Sequence, residues 1–208
     1  MLYAPAAMRR FFPCAVLLSA AACFLATARA SAVTVSPDLS QNLQIVINVD
    51  RQRLEIMRSG TALKTFPVST SKFGLGDDWR SYKTPLGLMQ VSSKMGDNLP
   101  MGAVIKGGRF TGEVLAPNAP GRDPIVTRVI RLEGLEEQNR HALGRGIYIH
   151  GTPEEGRIGK PVSWGCIRMR SKDLVELYQT VEVGTKVLIC TKKTAPLEPH
   201  WSLFSWWS

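Results

Sequence analysis

The segment Ile147 to Met169, IYIHGTPEEGRIGKPVSWGCIRM, holds the residues of this chain best suited to covalent chemistry, His150 and Cys166. A free thiol has a pKa near ~8.5, so only a few per cent is thiolate at neutral pH. A neighbouring imidazole can take that proton and later return it to a leaving amine. Gly165, just before the cysteine, permits the close backbone approach that an oxyanion pocket of main-chain N–H groups requires. A lone cysteine is more often a small buried hydrophobe. Cys190, at the end of Val187-Leu188-Ile189, fits that description. Cys166, among Ser163, Gly165 and Arg168, has the surroundings of an exposed turn. Spacing alone does not prove that Cys166 and His150 meet. His141 and His200 are read as surface or satisfied residues.

The elements that must position them are mostly strands. Leu43 to Val49, Arg53 to Arg58 and Leu63 to Ser69 form a meander, with turns at Asp50-Arg51-Gln52 and Ser59-Gly60. Further strands are expected at Gly87 to Ser92, Val104 to Lys106, Ile125 to Leu132, Ile147 to His150 and Lys186 to Cys190. Tyr148 shares a strand face with His150 by the two-residue period. One clear helix is expected, with Ser171 as N-cap, Asp173 in its first turn and Leu174, Val175, Leu177 and Tyr178 on its apolar face. A short helical turn fits Leu135 to Arg140. Gly107 to Asp123, rich in Gly, Pro and Asn, reads as a long irregular loop that edges a binding site. The whole is a mainly β domain, a curved sheet or sandwich with one or two short helices.

Residues 1–30 have the anatomy of a secretory leader: Arg9 and Arg10, an apolar stretch, then Ala28-Arg29-Ala30. An uncleaved anchor is the alternative. Cleavage would remove three arginines and no acid, lowering the net charge from +9 to +6. A basic exported protein suits an anionic wall or membrane surface, and nothing resembles a nucleic-acid motif. Residues 31–42 form a short lead-in and 43–190 the domain. Residues 191–208 form a Trp-rich tail, read as packed or mobile, with membrane or partner contact as the alternative. Cys166 and Cys190 would be the only mature thiols. That is too few for a disulfide scaffold, although they could pair with each other. With three histidines and no CxxC or HxxxH spacing, no metal site is expected.

HGT followed by SxGCIRM resembles the signature of the YkuD-type L,D-transpeptidases, a histidine, a spacer and then Ser/Thr-His-Gly-Cys. Lys83-Thr84-Pro85-Leu86-Gly87 is similar to the family's KTPxG turn, and Val68-Ser69-Thr70 to its VSTG segment. Thr127-Arg128 with Leu132-Glu133-Gly134 looks like another shared block. The resemblance runs from Leu43 to Cys190 and implies the family's fold. It also implies that Cys166 is the nucleophile and His150 the general base and acid. The Gly151 carbonyl would orient the imidazole, and the Gly165 and Cys166 amides would hold the oxyanion. Ser163, Gly165, Gly151 and Arg168 would face the substrate, Arg168 meeting a carboxylate. Trp164 departs from the family pattern, which commonly has histidine there, and this puts pocket polarity and substrate preference in question.

The implied reaction begins with attack on a peptidoglycan tetrapeptide stem. A thioester forms at the third residue, a diamino acid, and D-alanine leaves. The acyl group then passes to an amine, giving a 3→3 cross-link or an attached wall protein. No cofactor is implied. Water as acceptor would make the enzyme an L,D-carboxypeptidase or endopeptidase. A non-catalytic wall-binding protein is the rival from another class. Papain-like peptidases fit less well because their cysteine precedes their histidine.

Overall fold

A computed structural model describes residues 43–192. The leader and the lead-in lie outside the described residues, as does all of the tail beyond Lys192. The chain opens with a meander of β1 (Leu43–Asn48), β2 (Arg53–Arg58) and β3 (Thr61–Pro67). Strict alternation in LQIVIN puts Leu43, Ile45 and Ile47 on the buried face, opposite Leu54 and Ile56 of β2. Burying each such side chain contributes about 2 kcal/mol.

The remaining strands are β4 (Gly87–Met95), β5 (Ala103–Lys106), β6 (Arg109–Val114), β7 (Val126–Gly134), β8 (Tyr148–Gly151), β9 (Ile167–Met169) and β10 (Lys186–Cys190). They form one mixed ten-stranded sheet in the order β3-β2-β1-β10-β4-β7-β5-β6, with β8 on β7 and β9 on β8. Two helices accompany it, α1 (Ala142–Arg145) and α2 (Ser171–Thr180). The first follows a single 3-10 turn, Glu137–Asn139, which is where the short helical turn was expected. Leu174, Leu177 and Tyr178 bury the inner face of α2, which packs on β7 and β8.

Three expectations need correction. Gly107 to Asp123 is not irregular throughout, because Arg109–Val114 returns as β6 against β5. Its RFTGEV is exposed nearly end to end and lacks the alternation that marks a half-buried strand. The segment after Cys166 is not simply a turn into the helix, because β9 intervenes. Its three buried residues are held by β8 on one side and by a bridge to Ser69 on the other. Ser171 is the first helical residue and not the N-cap. Arg170 takes the cap position with extended backbone, and the Glu155 carboxylate accepts the Ser171 amide at 2.8 Å. That carboxylate sits at the positive end of the helix dipole.

Candidate active site

β8 and β9 run parallel, with His150 opposite Arg168 and Ile149 opposite Ile167. Continued by one pair, this register sets Cys166 beside Tyr148. Residues two apart in a strand share a face, so Tyr148, His150 and Arg168 project from the same side of the sheet, and Cys166 stands one residue ahead of β9, against the start of β8. His150 is buried, and its Nδ1 lies 2.8 Å from the Gly151 carbonyl. A carbonyl only accepts, so Nδ1 carries the proton of the neutral ring and Nε2 keeps the lone pair. Burial holds His150 down at about 4. The Gly151 carbonyl and Asp123 oppose that shift, and the Arg168 charge adds to it. Gly151 itself is dictated by the sheet, since a Cβ there would meet the Val126 carbonyl at 2.5 Å.

The Cys166 thiol is half-buried, not exposed, and donates to the Gly146 carbonyl at 3.3 Å, not to the imidazole. Burial pushes this thiol up. Hydrogen bonding from the Tyr148 backbone and the charges of Arg168 and Arg145 pull it down in part. At neutral pH the pair is therefore thiol and imidazole, not thiolate and imidazolium. Cys166 and Cys190 are both free.

The loop carrying the thiol is braced from several directions. Ser163 is fully buried. Its hydroxyl donates to the Cys166 carbonyl at 2.5 Å and accepts the Gly165 amide at 3.2 Å. Gly165 has φ +118, a conformation that L side chains rarely adopt. Its carbonyl accepts the Thr84 hydroxyl at 2.9 Å, and that hydroxyl in turn accepts the Ser71 amide at 3.0 Å. Arg145 fixes the floor of the site. It donates to Asp77 at 2.7 Å and to the Lys83 carbonyl at 2.7 Å, next to the Gly146 carbonyl that accepts the thiol. Thr84→Val should leave both the Gly165 carbonyl and the Ser71 amide without a partner, costing about 1–3 kcal/mol. Urea unfolding of the two proteins would measure it.

Ser163 and Arg168, expected to meet substrate, are instead committed to protein partners. The Arg168 guanidinium is buried between Asp123 at 2.6 Å and Glu154 at 3.5 Å. The Thr152 hydroxyl donates to the other Asp123 oxygen. Of the two expected oxyanion donors, the Gly165 amide is engaged by Ser163. Removing one member of a buried ion pair leaves its partner uncompensated, so Arg168→Ala should destabilise the domain by about 3 kcal/mol. Arg168→Ala combined with Asp123→Asn should recover much of that loss in thermal unfolding.

Thr84, Arg145 and Asp123 are missing from the sequence-based site. Thr84 carried a signal, since it sits in the Lys83-Thr84-Pro85 block, but nothing local to Arg145 or Asp123 marks it. Asp123 also lines a cavity of about 570 Å³ between β5, β6 and the segment before β7, together with Lys106, Glu113 and Arg122. The expected binding edge at Gly107 to Asp123 thus coincides with a concave surface. Among the described residues, no group of three or more His, Cys, Asp and Glu is placed to hold a metal ion. Among them, too, no helix is long and apolar enough to cross a membrane.

Residues 42–189 match the family model described as the L,D-transpeptidase catalytic domain, YkuD. A protein of Escherichia coli named as L,D-transpeptidase YcfS is 32% identical over 174 residues, 80% of this chain and 50% of that protein. One of Bacillus subtilis named as L,D-transpeptidase YkuD is 56% identical over 79 residues, 38% of this chain and 48% of that protein. The matched stretches thus span about half the length of these relatives. A solved L,D-transpeptidase from Mycobacterium smegmatis superposes with a TM-score of 0.46 at 20% identity, covering 72% of this chain and 58% of that one. The family model spans most of the chain, from the start of the sheet through Cys166 to β10, and on that match the protein belongs to the L,D-transpeptidase catalytic domain family.

Proposed function

We propose that this domain is a cysteine L,D-transpeptidase that acylates itself on a peptidoglycan tetrapeptide stem and passes the acyl group to an amine. The observation that carries this reading is the orientation of His150. Gly151 holds its Nδ1, leaving Nε2 as proton acceptor on β8, whose parallel neighbour β9 begins directly after Cys166. As substrate enters, the thiol leaves the Gly146 carbonyl and gives its proton to Nε2, while Sγ attacks the carbonyl of the third stem residue. The Cys166 amide supplies the oxyanion donor, because that of Gly165 is already engaged. Collapse of the tetrahedral adduct breaks the amide bond, and the imidazolium returns its proton to the departing D-alanine amine. An acceptor amine then attacks the thioester, His150 takes its proton, and the thiol is restored with that proton. Arg168 acts from its ion pair, as a fixed positive charge that eases thiolate formation.

The basic charge and the leader-like start support export to the cell envelope, where such stems lie. Incubating the protein with purified tetrapeptide muropeptides and weighing the products tests the reading. Dimeric 3→3 products support it, tripeptides alone would indicate water as acceptor, and no product would overturn it.

A further inference from the structure

Phe73, Tyr82 and Trp164 are 41%, 49% and 54% exposed, yet they form one cluster. Ring centroids lie 5.1 Å apart for Phe73 and Trp164, 5.2 Å for Tyr82 and Trp164, and 5.8 Å for Phe73 and Tyr82. The Lys72 ammonium sits 4.6 Å from the Trp164 ring centroid and 5.2 Å from that of Phe73. The backbone beneath is pinned to the thiol loop. Ser71 Oγ accepts the Phe73 amide at 3.0 Å and donates to the Tyr82 carbonyl at 2.5 Å, and the Lys72 amide donates to the Ser163 carbonyl at 3.2 Å. The rings and the nucleophile therefore ride on one braced unit. Contiguous exposed aromatic surface with a cation at its rim suits a ligand that has one apolar face and a polar edge.

Resting on the acyl-transfer reading above, we propose that Phe73, Tyr82, Trp164 and Lys72 form a subsite for the sugar that carries the stem peptide. Continuity with the thiol favours this occupant. Trp164 lies two residues from Cys166, so the shelf begins within about 7 Å of it along the chain, counting ~3.6 Å per residue. The sugar joins the stem two residues before the acylated one, an extended span of about 10 Å including the linkage. The apolar C–H face of a pyranose matches an aromatic shelf, and its hydroxyl and acetamido oxygens match the Lys72 ammonium. Trp164 at the usual histidine position thereby becomes a specificity device.

The test compares kcat/KM for a disaccharide tetrapeptide and for the free tetrapeptide, in wild type, Trp164→Ala and Phe73→Ala. The wild-type ratio should favour the disaccharide by about tenfold, a difference of ~1.4 kcal/mol. Both variants should bring it close to one, and any general damage to the thiol loop cancels in the ratio. A wild-type ratio of one, or a ratio unchanged in the variants, overturns the subsite. Calorimetric titration of Cys166→Ser with an N-acetylglucosamine oligosaccharide decides the matter without turnover. Binding that Phe73→Ala weakens supports the subsite, and no binding overturns it. Loss of all turnover beside retained sugar binding would strike the acyl-transfer reading and leave the sugar site standing.

Discussion

Cys166→Ala is expected to abolish acyl transfer, a loss of at least ~10³-fold, in a protein that stays folded. Folding should survive because the thiol makes only weak hydrogen bonds, with the Gly146 carbonyl and the Tyr148 backbone, and the rest of its loop is held by Ser163 and Thr84. Activity should not, because the thiol is the group that the proposed reaction acylates. Arg168 and Arg145 are held by carboxylate and carbonyl partners, and Ser163 is buried with its hydroxyl engaged. A carbapenem gives a direct readout. Intact mass should show one adduct on wild type and on Cys190→Ala, and none on Cys166→Ala. Cys190 is sealed in β10 and pushed up by burial, so it offers neither access nor thiolate. An adduct of unchanged stoichiometry on Cys166→Ala would remove the proposed nucleophile.

The second large effect belongs to His150→Ala, expected to lower turnover at pH 7 by at least ~10²-fold. The gap to wild type should narrow as pH climbs toward the ordinary thiol range, where hydroxide makes the thiolate without a base. Wild-type acylation should instead fall as pH drops through about 4, where the imidazole takes up a proton and can no longer accept the thiol's. The same displacement has a stability consequence. Histidine's folded value lies below its ordinary 6.5, so between 6.5 and about 4 the unfolded chain binds the proton more readily. Folded stability is therefore complete above 6.5 and declines as pH falls to about 4, by on the order of 3 kcal/mol. Urea unfolding across this window should show that slope in wild type and lose it in His150→Gln. A wild-type rate for His150→Ala at pH 7 would mean that the base lies elsewhere.

Where one strand face is buried and the other wet, the fold was legible in the sequence. β2 and β10 fall on the expected residues, and β1 ends one residue early. β6 escaped because it is exposed on both faces, and β9 because three buried residues carry no period at all. The candidate nucleophile and base were legible through their motif, but their supports were not. The Thr84 hydroxyl reaches a carbonyl 81 residues away, and Arg145 one 62 residues away. Such pairings are set by how strands stack in space, and residue types at either end do not encode them. The same reason explains Ser163 and Arg168. Their types suit substrate contact, whereas the folded chain has turned both inward.

The place of β10 governs the order in which this sheet can assemble. It is the last described strand in the chain, yet it lies between β1 and β4 and runs parallel to β1, with Gln44 opposite Lys186. The β1–β3 meander can pair early, since its turns are short, and it joins the other strands through β10 and through the bridge from Ser69 to Arg168 of β9. Parallel pairing across so long a separation must overcome its loop-closure entropy before any contact repays it. The β1 edge that faces β10, and the β4 edge on its other side, therefore stay open until residues 186–190 are available. Both edges are covered by the same strand, so a truncation before Lys186 would expose two strand edges together.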